Sequence, residues 1–128
     1  MRRKDKGISD KSDIKAIIEK AKVCRLGMVN GNKPYIVPLC FGCRDNALYF
    51  HGSLKGKKID LIRENPNVCF EFDLLTEIIE SENACDWRME YQSIIGFGKA
   101  VFIEESDEKR NAISIIMGQY SELPFQFP

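Results

Sequence analysis

No excess of either charge marks this chain. Its 128 residues carry 19 Lys+Arg against 19 Asp+Glu, with one His, for a formal net charge of +0. Without a basic surplus there is no electrostatic footprint for nucleic acid, so function must rest on local constellations. Long apolar runs are also missing, and none approaches the ~18 residues of a membrane-spanning helix. The opening residues Met1-Arg2-Arg3-Lys4-Asp5-Lys6 lead into polar sequence. No secretory signal is therefore expected, and the expected compartment is the cytoplasm. There is no G-x-G-x-x-G after a strand, and Gly52 to Lys58 lacks the spacing of a Walker loop, which argues against both nucleotide-binding turns. No paired carboxylates on recognisable strands suggest glycoside chemistry.

Cysteine is present but sparse in pattern. Cys24, Cys40, Cys43, Cys69 and Cys85 are odd in number and unclustered, which reads as reduced thiols. Cys40-x-x-Cys43 is a single pair, whereas a structural zinc site usually draws on two. It also runs into Arg44-Asp45-Asn46, a turn, rather than opening a helix whose dipole would lower a thiol pKa. Metal and disulfide chemistry are not expected.

The composition, 44% hydrophobic and 30% charged, is that of one ordinary globular domain spanning residues 1–128, with a charged, flexible stretch over 1–9. Ser12 is placed to cap a helix carrying Ile14, Ile17, Ile18 and Ala21 at the 3.6-residue period. Val23 to Val29 reads as a strand. Asn30-Gly31 suits a type I′ hairpin turn. The return strand, Lys33 to Phe41, contains Pro34 and Pro38, each lacking a ladder donor, so it is expected to be irregular. A turn at Arg44-Asp45-Asn46 leads to a short strand, Ala47 to His51. Three strands joined by tight turns form an antiparallel meander. A short helix with Ile59, Leu61 and Ile62 is stopped by Asn65-Pro66, and Val68 to Phe72 reads as a strand. From Glu71 to Glu90 the acids Glu71, Asp73, Glu77, Glu80, Glu82, Asp86 and Glu90 face Arg88 alone, a pattern read as a solvated loop or edge. Tyr91 to Glu104 is the longest strand candidate. Ser106, with Asp107 and Glu108, starts a last helix bearing Ile113, Ile116 and Met117. The fold class expected is mainly β, with flanking helices.

One segment carries an anion signal. Ser53, Lys55, Lys57 and Lys58 converge where a strand gives way to a helix N-terminus, whose free amides attract phosphate. The residues alone leave open a plain lysine-rich turn. His51, the one histidine, ends the strand beside this loop, and nothing nearby completes a catalytic triad.

Three segments in order then resemble a known family. They are Cys24 to Phe41 with Pro34-Tyr35-Ile36-Val37-Pro38-Leu39, Leu48-Tyr49-Phe50-His51 through Gly56-Lys57-Lys58 to Asn65-Pro66, and Tyr91-Gln92-Ser93-Ile94-Ile95-Gly96-Phe97-Gly98-Lys99-Ala100. Together they are similar to the pyridoxamine 5′-phosphate oxidase-like FMN proteins, in the nitroimidazole reductase, or nitroimidazole-resistance, branch. The resemblance covers nearly the whole chain after Ser9.

What this resemblance implies is a six-stranded antiparallel split β-barrel that pairs as a homodimer with FMN between subunits. Lys57, Lys58 and Ser53 would hold the FMN phosphate. Val37, Pro38 and Leu39 would offer backbone groups to the isoalloxazine, and Gln92 and Ser93 would reach it across the dimer. Gly96 and Gly98 would let their strand curve, and His51 would face the substrate. Two departures are expected: the strand that normally follows the last helix is absent, and the basic set for a pyridoxine substrate has no match. The activity implied is an FMN-dependent oxidoreductase that uses NAD(P)H to reduce a nitroaromatic (nitroimidazole-type) or similar small molecule. The alternatives are a non-catalytic flavin- or haem-binding split barrel and a plain interaction domain.

Overall fold

The structure, a computed structural model, describes residues 11–52, 55–86 and 88–121. Among them lie three α-helices and six strands: α1 (Lys11–Lys20), β1 (Cys24–Asn30), β2 (Lys33–Leu39), β3 (Gly42–Arg44), β4 (Ala47–Tyr49), α2 (Lys57–Glu64), β5 (Asn67–Ile79), β6 (Arg88–Lys99) and α3 (Ser106–Tyr120). The strands form a four-stranded antiparallel sheet of order β2-β1-β5-β6 and a separate β3-β4 hairpin. The expected mainly β class with flanking helices holds. The expected six-stranded barrel does not close among the described residues. Residues 1–9 lie outside the described residues, as does the end of the chain after Ser121.

Alternation along the strands sets the core. Cys24, Leu26 and Met28 of β1 are buried, and so is Phe72 of β5, whose ring centroid lies 4.7 Å from that of buried Phe41. Leu61 and Ile62 of α2 cover Leu26 and Met28, with Tyr35, Val37 and Leu39 of β2 packed alongside. Buried Ile17 and Ala21 anchor α1, with Ile14 and Ile18 half-buried. Gly96 faces Phe70 across β5 and β6, and a β-carbon there would lie 2.2 Å from the Phe70 ring. The glycine makes room for that aromatic.

The C-terminal turn of α3 ties the ends of the domain together. The Gln119 side-chain amide donates to the carbonyls of Ile18, Glu19 and Ala21 at 2.9, 3.2 and 3.0 Å, capping α1 from outside. The Tyr120 hydroxyl donates to the Lys22 carbonyl and accepts from the Phe41 amide, both at 2.9 Å.

Several local expectations are corrected. Ser12 lies inside α1 rather than capping it. The first hairpin closes on Asn30↔Lys33 around Gly31-Asn32, with positive φ (65°) at Gly31 alone, which is the II′ pattern. The I′ pattern occurs instead at Asp45-Asn46, with φ of 52° and 63°. β2 pairs with β1 in unbroken register despite its prolines, because it is an edge strand. β4 stops at Tyr49, before His51. The acidic stretch is mostly paired strand: β5 runs to Ile79 and β6 starts at Arg88. β6 ends at Lys99, not at Glu104. α3 does start at Ser106 as expected, and its cap is Glu105, whose carboxylate accepts the Asp107 and Glu108 amides at 3.0 and 2.8 Å.

Candidate functional site

The lysine-rich segment lies between β4 and α2. Gly56 precedes α2 with φ 133° and ψ 169°, a backbone that suits glycine, and no side chain caps the helix. The first intrahelical bond runs from the Asp60 amide to the Gly56 carbonyl. The amides of Lys57, Lys58 and Ile59 therefore open the helix without intrahelical partners. Among the described residues no carboxylate lies within ion-pair distance of Lys57 or Lys58. The Lys58 ammonium folds back over Gly52, where an added β-carbon would lie 3.1 Å from it. Lys57 reaches the other way, its ammonium 4.8 Å from the centre of the Tyr35 ring. One helix start thus joins the β4–α2 connection to the edge strand β2. Ser53 and Leu54 lie outside the described residues.

The free edge of β2 supplies the second part of the site. A two-residue turn closes on a hydrogen-bonded pair, so Lys33, Tyr35, Val37 and Leu39 spend their backbone groups on β1. Pro34, Ile36 and Pro38 turn theirs outward. The prolines donate nothing, and the edge presents one amide, Ile36, among the carbonyls of Pro34, Ile36 and Pro38. Of the three backbone candidates Val37, Pro38 and Leu39, only Pro38 faces out. Val37 and Leu39 also turn their side chains toward α2.

The remaining candidates sit apart within one chain. His51 is exposed in the segment after β4. Gln92 and Ser93 lie on β6, at the opposite edge of the sheet from β2. Three strand spacings, ~14 Å, separate the two edges. Gln92 instead lines a depression of about 90 Å³ with Asp13, Ala16, Ile17, Lys20 and Leu74. A second depression, of about 370 Å³, lies between the C-terminal ends of α1 and α3, lined by residues including Glu19, Lys22 and Tyr120. Neither depression includes Lys57, Lys58 or β2.

The thiols stand outside this site. Cys24 of β1 is fully buried in the core with Ala21, Phe41 and Phe72, and burial pushes its thiol up to about 12. Partial desolvation by its neighbours also raises the exposed Cys43 thiol. All five cysteines are free thiols, Cys40 and Cys43 being exposed. Among the described residues no cluster of three or more His, Cys, Asp or Glu stands ready to hold a metal, and no helix is long and apolar enough to cross a membrane.

Two ammonium groups and free helix amides suit a phosphate monoester, and an edge of alternating carbonyls with one amide suits a ring with polar atoms along one side. A flavin mononucleotide has both parts, so the residues present fit that group. Sequence signals single out Lys57 and Lys58 as charges at a helix start. They missed the Ile36 backbone, which only the strand register reveals.

Comparison with known proteins follows the same lines. A crystal structure from Bacteroides thetaiotaomicron, provisionally assigned to 5-nitroimidazole antibiotic resistance, is 36% identical, with a TM-score of 0.84 over 94% of this chain and 72% of that one. A FAD- and haem-binding protein from Mycobacterium smegmatis shares the fold at 17% identity, TM-score 0.78, over 88% of this chain and 55% of that one. An uncharacterised protein of Rhizobium meliloti is 30% identical over 64 residues, which is 50% of this chain and 42% of that relative. Residues 10–125 match the family described as pyridoxamine 5′-phosphate oxidase, and the chain belongs to that family.

Proposed function

We propose that this chain is an FMN-dependent oxidoreductase that takes electrons from NAD(P)H and reduces a nitroaromatic, nitroimidazole-type or similar small molecule. The observation that carries the reading is the uncapped start of α2, where Lys57 and Lys58 flank free amides beside the edge of β2. The similarity to a protein linked to 5-nitroimidazole resistance supports the choice of acceptor. That FAD and haem occupy a protein of the same fold supports the choice of cofactor class.

In this reading Lys57, Lys58 and the first amides of α2 hold the phosphate by charge-assisted hydrogen bonds. The Ile36 amide and the Ile36 and Pro38 carbonyls meet the polar side of the ring and fix its orientation. Gln92 and Ser93 come from a second copy, because their own chain keeps them at the far edge. His51, exposed beside this region, orients the acceptor or gives it a proton. When bound, the flavin would supply the chemistry that accepts a hydride and passes electrons on to the acceptor.

The test is a visible spectrum of the purified protein, taken before and after FMN addition and desalting. Anaerobic NADH or NADPH, then a nitroimidazole, follow. A retained flavin band that bleaches and returns with the acceptor supports the reading. A retained band that no nicotinamide bleaches means a non-catalytic flavin protein, and a Soret band means a haem protein. A colourless protein overturns the cofactor assignment.

A further inference from the structure

Gly52 is a glycine that its own backbone does not require. Its φ lies outside the left-handed region, unlike the 133° of Gly56. Among the described residues, an added β-carbon would meet one side chain only, that of Lys58, with Nζ at 3.1 Å and Cε at 3.8 Å. The missing side chain at position 52 therefore leaves room for an ammonium group, and for nothing else that the described residues supply.

The place of Lys58 in α2 explains why its side chain takes that room. Lys58 is the second residue of the helix, and helical side chains lean back toward the N-terminus of their helix. The lean directs it to the chain that follows β4. There the residue is half-buried, yet no carboxylate of the described residues lies within ion-pair distance. Lys57 turns the other way, over the Tyr35 ring. A half-buried ammonium without a carboxylate, at a helix start whose amides attract anions, is matched to the double charge of a phosphate monoester.

We propose that Gly52 sets how strongly this site prefers a flavin that carries a phosphate, by holding open the place of the Lys58 ammonium. The proposal rests on the flavin reading and adds to it a positioning residue, one that acts through Lys58. Alanine at position 52 asks the ammonium to give by a few tenths of an ångström, which a lysine can do. Valine is branched at the β-carbon and fills the same space with two further methyl groups, so it turns the ammonium out to solvent. The phosphate then loses one of its two ammonium contacts. The backbone groups of β2 that meet the ring are untouched, so the loss falls on FMN and spares riboflavin.

The experiment titrates FMN and riboflavin, by fluorescence quenching, into wild type, Gly52→Ala, Gly52→Val, Lys58→Ala and Gly52→Val/Lys58→Ala. Gly52→Val should lower the preference for FMN over riboflavin about tenfold, close to the loss in Lys58→Ala, and Gly52→Ala about threefold, on the scale of one charge-assisted contact. Riboflavin affinity and circular dichroism should not change. In the Lys58→Ala background Gly52→Val should bring no further loss, the non-additivity expected of a residue that acts through another. A Gly52→Val protein that keeps the wild-type preference overturns the proposal. So does one that loses both flavins equally, or one whose loss persists in full without Lys58. If valine prevents folding, the alanine variant decides by the same criteria. A wild type that shows no preference for FMN removes the phosphate reading itself, whereas a preference that Gly52→Val leaves intact removes the role of Gly52 alone.

Discussion

The Tyr35 ring stands beneath the Lys57 ammonium, 4.8 Å from centroid to nitrogen, and so couples the edge strand β2 to the start of α2. A cation over an aromatic face at an exposed site is worth about 0.5–1 kcal/mol. That is enough to bias where Lys57 points without fixing it. Tyr35→Leu keeps the apolar contact with Leu61 and Ile62 and removes the π face. FMN affinity should fall about threefold with little change in melting temperature, and Tyr35→Phe should restore it. Equal affinities in a fluorescence-quenching titration would mean that Lys57 does not depend on Tyr35.

His51 lies beyond β4, on the exposed side of the β4–α2 connection. If it serves the acceptor rather than the flavin, His51→Ala retains FMN at wild-type affinity and loses turnover. A drop of about 10²–10⁴-fold in kcat is expected for a proton donor. Unchanged turnover removes His51 from the mechanism.

Gly42 is the point where β3 meets α3. A β-carbon there would lie 2.7 Å from the backbone of Ile115 and Ile116, and neither backbone is free to yield. Gly42→Ala should therefore cost about 1–3 kcal/mol in urea unfolding. Gly98→Ala, with open space around the position, gives a control for the effect of adding a methyl group to a strand. Equal unfolding midpoints for Gly42→Ala and wild type would contradict the close approach.

Glu105 caps α3, and the two amides its carboxylate accepts hold its pKa below the ordinary carboxylate value. A folded-state pKa below the unfolded one adds stability that is fully present above the unfolded value, about 4.3. It is lost as pH falls through the folded value. The gap in melting temperature between wild type and Glu105→Ala should stay constant near neutrality and narrow as pH drops below about 4. A gap independent of pH would mean that the carboxylate charge plays no part in the cap.

Local signals were legible and non-local ones were not. Asn65-Pro66 ends α2 as the chemistry of proline dictates, and the spacing of Ile59, Leu61 and Ile62 marks that helix without any tertiary information. Glu71 and Asp73 misled because a count of acids cannot see that alternate positions face Arg25 on the neighbouring strand. Ser106 marks the start of α3 from sequence, while its cap, Glu105, shows itself only through the amides of Asp107 and Glu108 that it reaches. In the site, Lys57 and Lys58 announce themselves as charges at a helix start. Which of Ile36, Val37 and Pro38 offers its backbone outward depends on the parity of the β2 register, and that is set by whether the turn begins at Asn30 or Gly31. The separation of Gln92 and Ser93 from β2 depends on strand order, which no local pattern encodes.

The central claim is that the start of α2 binds the phosphate of a flavin mononucleotide. It is tested most directly by titrating FMN and riboflavin, which lacks that phosphate, into wild type and into Lys57→Ala/Lys58→Ala. Wild type should prefer FMN by at least about a hundredfold, in line with two charge-assisted contacts at about 1.5–3 kcal/mol each. The double variant should lose most of that preference, keeping only the part that the α2 amides supply. A wild type that binds riboflavin as tightly as FMN, or a double variant that keeps the full preference, would contradict the assignment.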